Sequence, residues 1–130
     1  MSEVVKINFD KDLLYGFERP KSVEVIESLI KSIKMRIELP LFSVYQLGNN
    51  MYSLSPDEKI EINGEYFIDG GHHRSIAFLR EKRFLYANLV EKPNIPHHML
   101  QLGYLNIKDI PVISMPDEYI KRKNRYGNYL

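Results

Sequence analysis

The chain has 130 residues, 44% of them hydrophobic and 27% charged, which is the size and composition of one globular domain and excludes a disordered or collagen-like polymer. Its 18 Lys and Arg stand against 17 Asp and Glu, a formal charge of +1, so no basic field spreads over the whole surface. With no cysteine, disulfides, thiolate metal sites and thiol nucleophiles are excluded.

No apolar run approaches the roughly 18 residues needed to cross a bilayer. The opening MSEVVKINFDKD has neither the basic nor the apolar segment of a secretory leader. A cytoplasmic protein with no membrane partner is expected.

The elements follow in chain order. Val4 to Phe9, β-branched and partly alternating, predicts a first strand. Tyr15 to Pro20 predicts a loop, with Pro20 pushing Arg19 towards extended geometry. Ser22 is placed to cap a helix, with Glu24 in its first turn to meet the positive helix end. Val23, Ile26, Ile30, Ile33 and Ile37, with Leu29 widening the stripe, recur at helical spacing and predict an amphipathic helix from about Val23 to Arg36. Pro40 closes that unit, and Leu41 to Leu47 predicts a strand. Gly48 to Asp57 is polar and turn-rich, while Lys59 to Asp69 predicts a hairpin about Asn63-Gly64, the favoured type I′ turn. A helix is expected over Arg74 to Arg83 and a strand over Phe84 to Val90. Beyond these, Met99 to Leu105 is expected as a short helix and Ile110 to Met115 as a short strand. Pro116-Asp117-Glu118 has the residues of a helix start.

The chemically informative stretch is Tyr66 to Arg74, YFIDGGHHR. Gly70 and Gly71 let the backbone turn sharply and approach a ligand. The helix that follows presents unpaired N–H groups and a positive dipole end, a combination suited to phosphate. Arg74 adds a two-pronged, permanently charged contact. His72 and His73 are either donors there or acid/base groups titrating near neutral pH. Asp69 either holds Mg²⁺ through an oxygen or caps the turn. Glu18 and Arg19 are either part of the site or exposed charges.

Two further patterns stand apart from this stretch. His97-His98 invites a metal reading together with His72-His73, but adjacent residues on a strand point to opposite faces, so no metal site is expected. The basic tail Lys121, Arg122, Lys123 and Arg125, interleaved with tyrosines, either grips nucleic acid by charge and stacking or is a solvated helix face.

Three stretches in order resemble the ParB/sulfiredoxin superfamily. Glu18-Arg19-Pro20 with VEVIESLIKSIK resembles its polar loop and first helix. Leu39 to Val44, LPLFSV, resembles the strand that follows. FIDGGHHRSIAFLREKRFLYANLV resembles its signature box. The likeness covers residues 4–90 of a single domain spanning 1–130, leaving 91–130 as an extension. It implies a compact α+β fold, a small mixed sheet with helices packed on it. It implies ATP, ADP or CTP with Mg²⁺, the phosphates lying at Gly70, Gly71, His72, His73 and Arg74 while Arg19 closes from the other side. A homodimer and DNA are further partners that it implies.

The departures narrow the activity. GGHHR is similar to the sulfiredoxin box, but His72 stands at the essential cysteine of that family, so sulfiredoxin chemistry is not available. Partition proteins have a box closer to Gly-Glu-Arg-Arg and carry two further domains; about 40 residues follow Val90, too few for both at ~50 or more each. A phosphotransferase or nucleotide-hydrolase reading makes His72, Glu18 or Asp69 the catalytic candidates. The alternatives are a DNA-binding accessory factor without turnover and a metal-dependent nuclease acting through His72.

Overall fold

A computed structural model describes residues 3–17, 20–39, 41–55, 59–62, 65–68, 71–94 and 104–126, with 59–62, 65–68 and 124–126 described in their backbone only. Among the described residues the chain runs β1 (Glu3–Ile7), β2 (Leu13–Phe17), β3 (Lys21–Ser22), α1 (Val23–Lys34), β4 (Ser43–Gly48), β5 (Met51–Leu54), β6 (Lys59–Ile62), β7 (Glu65–Ile68), α2 (His72–Arg80), β8 (Leu85–Leu89), β9 (Tyr104–Asn106), a 3₁₀ turn (Ile107–Asp109), β10 (Val112–Ile113) and α3 (Pro116–Tyr126).

Six strands form a mixed sheet in the order β1-β8-β4-β5-β2-β9. β8 pairs antiparallel with β1 and parallel with β4, and β2 pairs parallel with β5. This is an α+β architecture. Register puts Ile7 opposite Leu85 and Val44 opposite both Leu54 and Leu89, so these side chains share one face, as the period of two requires. Val25, Ile26, Leu29 and Ile33 of α1 and Ile76 and Ala77 of α2 pack with that face in one buried cluster. α3 docks on α1 and β3 rather than on the sheet. Two short ladders, β3 with β10 and β6 with β7, complete the pairing among the described residues.

Several boundaries differ from the sequence reading, each for a local reason. β1 stops at Ile7 because Asn8 to Asp12 folds into a turn: the Asn8 carbonyl accepts from the N–H of Lys11 and Asp12, and the Asp12 carboxylate accepts from the Asn8 N–H at 2.9 Å. Residues 13–17 are a strand, where a loop was expected over 15–20, because β5 and β9 flank them on both edges. β5 lies in a stretch read as polar turn; Asn50 takes φ 57° and its carbonyl accepts from Leu13 N–H at 2.7 Å. Residues 104–106 pair with β2 as a strand rather than ending a helix. Both α1 and α2 end early, at Lys34 and Arg80. Each is closed by a left-handed residue that is not glycine, Arg36 and Lys82, with Ile37 N–H bonding Ser32 O and Arg83 N–H bonding Phe78 O, the six-to-one closure of a Schellman motif. The hairpin over 59–68 forms as expected; its Asn63-Gly64 turn lies outside the described residues.

Candidate functional site

α2 begins two residues earlier than the sequence suggests, so His72 and His73 are its first helical residues and Gly71 is its cap. Gly71 has φ 78°, and a Cβ there would stand 2.4 Å from Cγ of Phe42. Only glycine meets both demands, a left-handed backbone and an aromatic ring laid on the Cα. Arg74 is 4% exposed, with its guanidinium carbon 4.9 Å from the centroid of the same Phe42 ring, a cation–π distance. The Ser75 hydroxyl donates to the Gly71 carbonyl at 2.8 Å and fixes the entry to the helix.

The two imidazoles turn inward onto backbone. His72 Nε2 accepts from the Phe17 N–H and His73 Nε2 accepts from the Ser22 N–H, each at 3.1 Å. An accepting Nε2 assigns the proton to Nδ1 in both rings. Burial, reinforced by the Lys21 and Arg122 cations, lowers His72 to about 3. Burial, reinforced by Arg122, Lys21, His72 and Arg74, lowers His73 to about 2. Both rings are therefore neutral at physiological pH. This geometry gives no support to the acid/base role expected of His72, because its accepting nitrogen is engaged and its proton affinity lies far below neutrality. It also removes Nε2 of either ring as a metal ligand. Their work here is to fasten the two ends of segment 17–22 to the head of α2.

Ser22 joins the helix starts. Its N–H goes to His73, its Oγ accepts from Val25 N–H at 3.2 Å as the N-cap of α1, and the same hydroxyl donates to the Met115 carbonyl at 3.0 Å, just ahead of α3. Glu24 stands in the first turn of α1 as expected and also reaches across the chain. Its Oε1 accepts from Met115 N–H at 2.5 Å and its Oε2 from the Ser114 hydroxyl at 2.8 Å. The Ser114 bond, aided by Met115 N–H, holds the carboxyl below its usual range.

This docking divides the basic tail. Lys121 and Lys123 are exposed, with the Lys123 ammonium 6.0 Å from the Tyr119 ring centroid. Arg122 turns inward, its Nε 2.9 Å from Glu118 Oε1, and its charge acts on both histidines. Arg122, read from sequence as part of a separate nucleic-acid tail, is thus brought to the His-His-Arg stretch. Lys21, singled out by no motif, arrives there because its neighbour Ser22 is bonded to His73. Nothing in local sequence signals either convergence. Glu18, Arg19, Asp69 and Gly70 lie outside the described residues, as do His97, His98 and the side chain of Arg125.

The charges of Arg122 on α3, Lys21 on β3 and Arg74 on α2 all act on His73 in the first turn of α2, and the cap of that helix offers no side-chain bond to its amides. For Mg²⁺ the described residues fit poorly: Glu118 is engaged by Arg122 and Glu24 by Ser114 and Met115. Among the described residues no group of three or more His, Cys, Asp or Glu is arranged to hold a metal, and no helix is long and apolar enough to cross a membrane. No family model, curated protein or solved structure matches this chain. What the fold and site define is an α+β protein whose second helix opens on a glycine cap, two histidines bonded to backbone and a buried arginine.

Proposed function

We propose that the protein binds a phosphate-bearing ligand, a nucleoside di- or triphosphate, at the start of α2. The observation that carries this reading is the opening of α2, where Gly71 caps the helix without a side-chain bond and Arg74 lies buried in the first turn against the Phe42 ring; the charges of Arg122 and Lys21, which help to lower His73, support it. Amides at a helix N-terminus donate to phosphate oxygens and the dipole adds to the attraction. Lys21 and Arg122, both half-buried, supply charge at reduced dielectric, and Arg74, buried in the first turn of α2, adds its own. The likeness of GGHHR to the ParB/sulfiredoxin box points to the same ligand class. If the bound nucleotide reacts, phosphoryl transfer or hydrolysis is the class that charge neutralisation and positioning serve. The catalytic base then comes from Glu18 or Asp69, since His72 is committed to Phe17.

Calorimetric titration with ATP, ADP and CTP, with and without Mg²⁺, tests the reading. Binding in the wild type, weakened at least tenfold in Lys21→Ala and Arg74→Ala, is expected from the loss of a charge-assisted contact. Undetectable binding of every nucleotide would overturn it.

A further inference from the structure

We infer that the cleft at the far end of α2 is a second binding site, which takes a small organic acid: a single carboxylate on an aromatic or branched apolar body. It lies at the opposite end of the helix from the Gly71 cap, nine residues away or roughly 13 Å along the axis, and does not depend on the nucleotide reading.

The register that puts Ile7 opposite Leu85 brings the turn after β1 beside the turn between α2 and β8. Between them lies a cleft of about 400 Å³, within the roughly 300–1,000 Å³ of small-molecule sites. Its apolar lining is Phe9, Leu79 and Phe84, and its charged lining is Asp10, Lys82 and Arg83. Phe9 and Leu79 pack against the core behind it. Phe84 is 47% exposed, and the Lys6 ammonium stands 3.9 Å from its ring centroid. That cation–π contact steadies the ring and adds a third cation beside the cleft. Lys82 and Arg83 are not needed to close the helix. The N–H groups of Glu81, Lys82 and Arg83 already take the carbonyls of Ala77, Leu79 and Phe78. Neither side chain makes an ion pair among the described residues, where Glu81 is taken by Lys34 at 3.9 Å. Lys82 also holds a left-handed φ of 54°, which glycine would fill at lower cost. A carboxylate here meets two cations while its body covers Phe9, Leu79 and Phe84. The excess of cations over the single Asp10 sets the sign of charge that fits.

The test titrates naphthoate, the probe, into the full chain and follows the backbone amides in proton–nitrogen correlation spectra. Saturable shifts are expected at Asn8 to Asp10 and at Lys82 to Phe84, at about millimolar probe. The uncharged naphthamide is expected to bind at least several-fold more weakly. Lys82→Gly relieves the left-handed backbone, so its melting temperature is expected to hold or rise while its affinity for naphthoate falls several-fold. Arg83→Gln is expected to weaken binding about tenfold. Asp10→Asn, which removes the opposing charge, is expected to strengthen it about two- to five-fold. Equal binding of naphthoate and naphthamide overturns the acid as occupant. So does an affinity unchanged in both Lys82→Gly and Arg83→Gln. Shifts confined to residues outside the two turns, or no shifts at all, overturn the site itself. Each of these results leaves the nucleotide reading at Gly71 standing, since that is tested by separate ligands at the other end of the helix.

Discussion

Gly16 and His72 lie in direct contact: a Cβ built on Gly16 would stand 2.7 Å from both Cδ2 and Nε2 of the imidazole. The same ring accepts the N–H of the next residue, Phe17. The absent side chain is what lets the ring reach the backbone. Gly16→Ala is therefore expected to destabilise the fold by about 1–3 kcal/mol, the usual cost of overpacking. Urea or thermal unfolding measures it. Adding His72→Ala should make the double variant less unstable than the sum of the singles, because the clash has lost one partner. Simple additivity would show that the strain lies elsewhere.

Gly71→Ala should be the harsher substitution. It meets a left-handed φ of 78° and the Phe42 ring at 2.4 Å together. A left-handed backbone alone costs an alanine about 1–2 kcal/mol, and a ring packed beneath a buried Arg74 has little room to yield. A combined loss of about 3 kcal/mol or more is expected. If denaturation shows Gly71→Ala to be milder than Gly16→Ala, the Phe42 ring can move aside and its hold on the helix head is loose.

The histidines make acid stability a signature of the site. Folded His72 and His73 sit at about 3 and about 2, against 6.5 for the free side chain. Below pH 6.5 the unfolded chain takes up protons that the folded chain refuses. Stability is then complete above that value and falls as the pH drops, the slope approaching about 1.4 kcal/mol per pH unit for each histidine by pH 5. Urea midpoints between pH 8 and pH 5 read this directly. Glu24, a lowered carboxyl, contributes only at more acid pH, because its stabilisation is lost as pH falls below the ordinary 4.5. His73→Gln, which offers a carbonyl to Ser22 N–H without titrating, should flatten the curve by about half. An unchanged slope would mean that His73 is not held neutral.

The sequence carried the helices and the site's centre but not what was brought to it. α1 is legible because Ser22 caps it and its apolar stripe recurs at helical spacing, and Pro116-Asp117-Glu118 opens α3 as read. The C-terminal ends of α1 and α2 fall short of the sequence expectation because Arg36 and Lys82 take left-handed φ with no glycine to announce it. β2 and β5 were missed because partners far along the chain, not local alternation, make them strands. Glu24 illustrates the same limit within the site. Its place in the first turn of α1 is as expected, but its bonds to Ser114 and Met115, some ninety residues away, have no signal in the sequence. Lys21 and Arg122 likewise acquire their place from long-range docking, which no motif encodes. The sequence leaves the role of the two histidines open, since an imidazole that accepts from backbone looks the same there as one that catalyses.

Glu118 sets a trade between stability and ligand affinity. Its carboxylate holds Arg122 Nε at 2.9 Å, with side-chain exposures of 30% and 20% for the two partners. A helical pair at this spacing stabilises by about 0.3–0.5 kcal/mol, so Glu118→Gln should lower the melting temperature slightly. Its effect on binding should have the opposite sign. A phosphate approaching Arg122 competes with that carboxylate and is repelled by it; neutralising Glu118 removes both penalties. Affinity for tripolyphosphate should then rise about two- to five-fold, the equivalent of one partly exposed charge pair. The gain should shrink as salt rises from ~0.05 to ~0.5 M, because the Debye length shortens. A loss of affinity instead would make Glu118 the group that orients Arg122 towards the anion, and the pair would then belong to the site rather than compete with it.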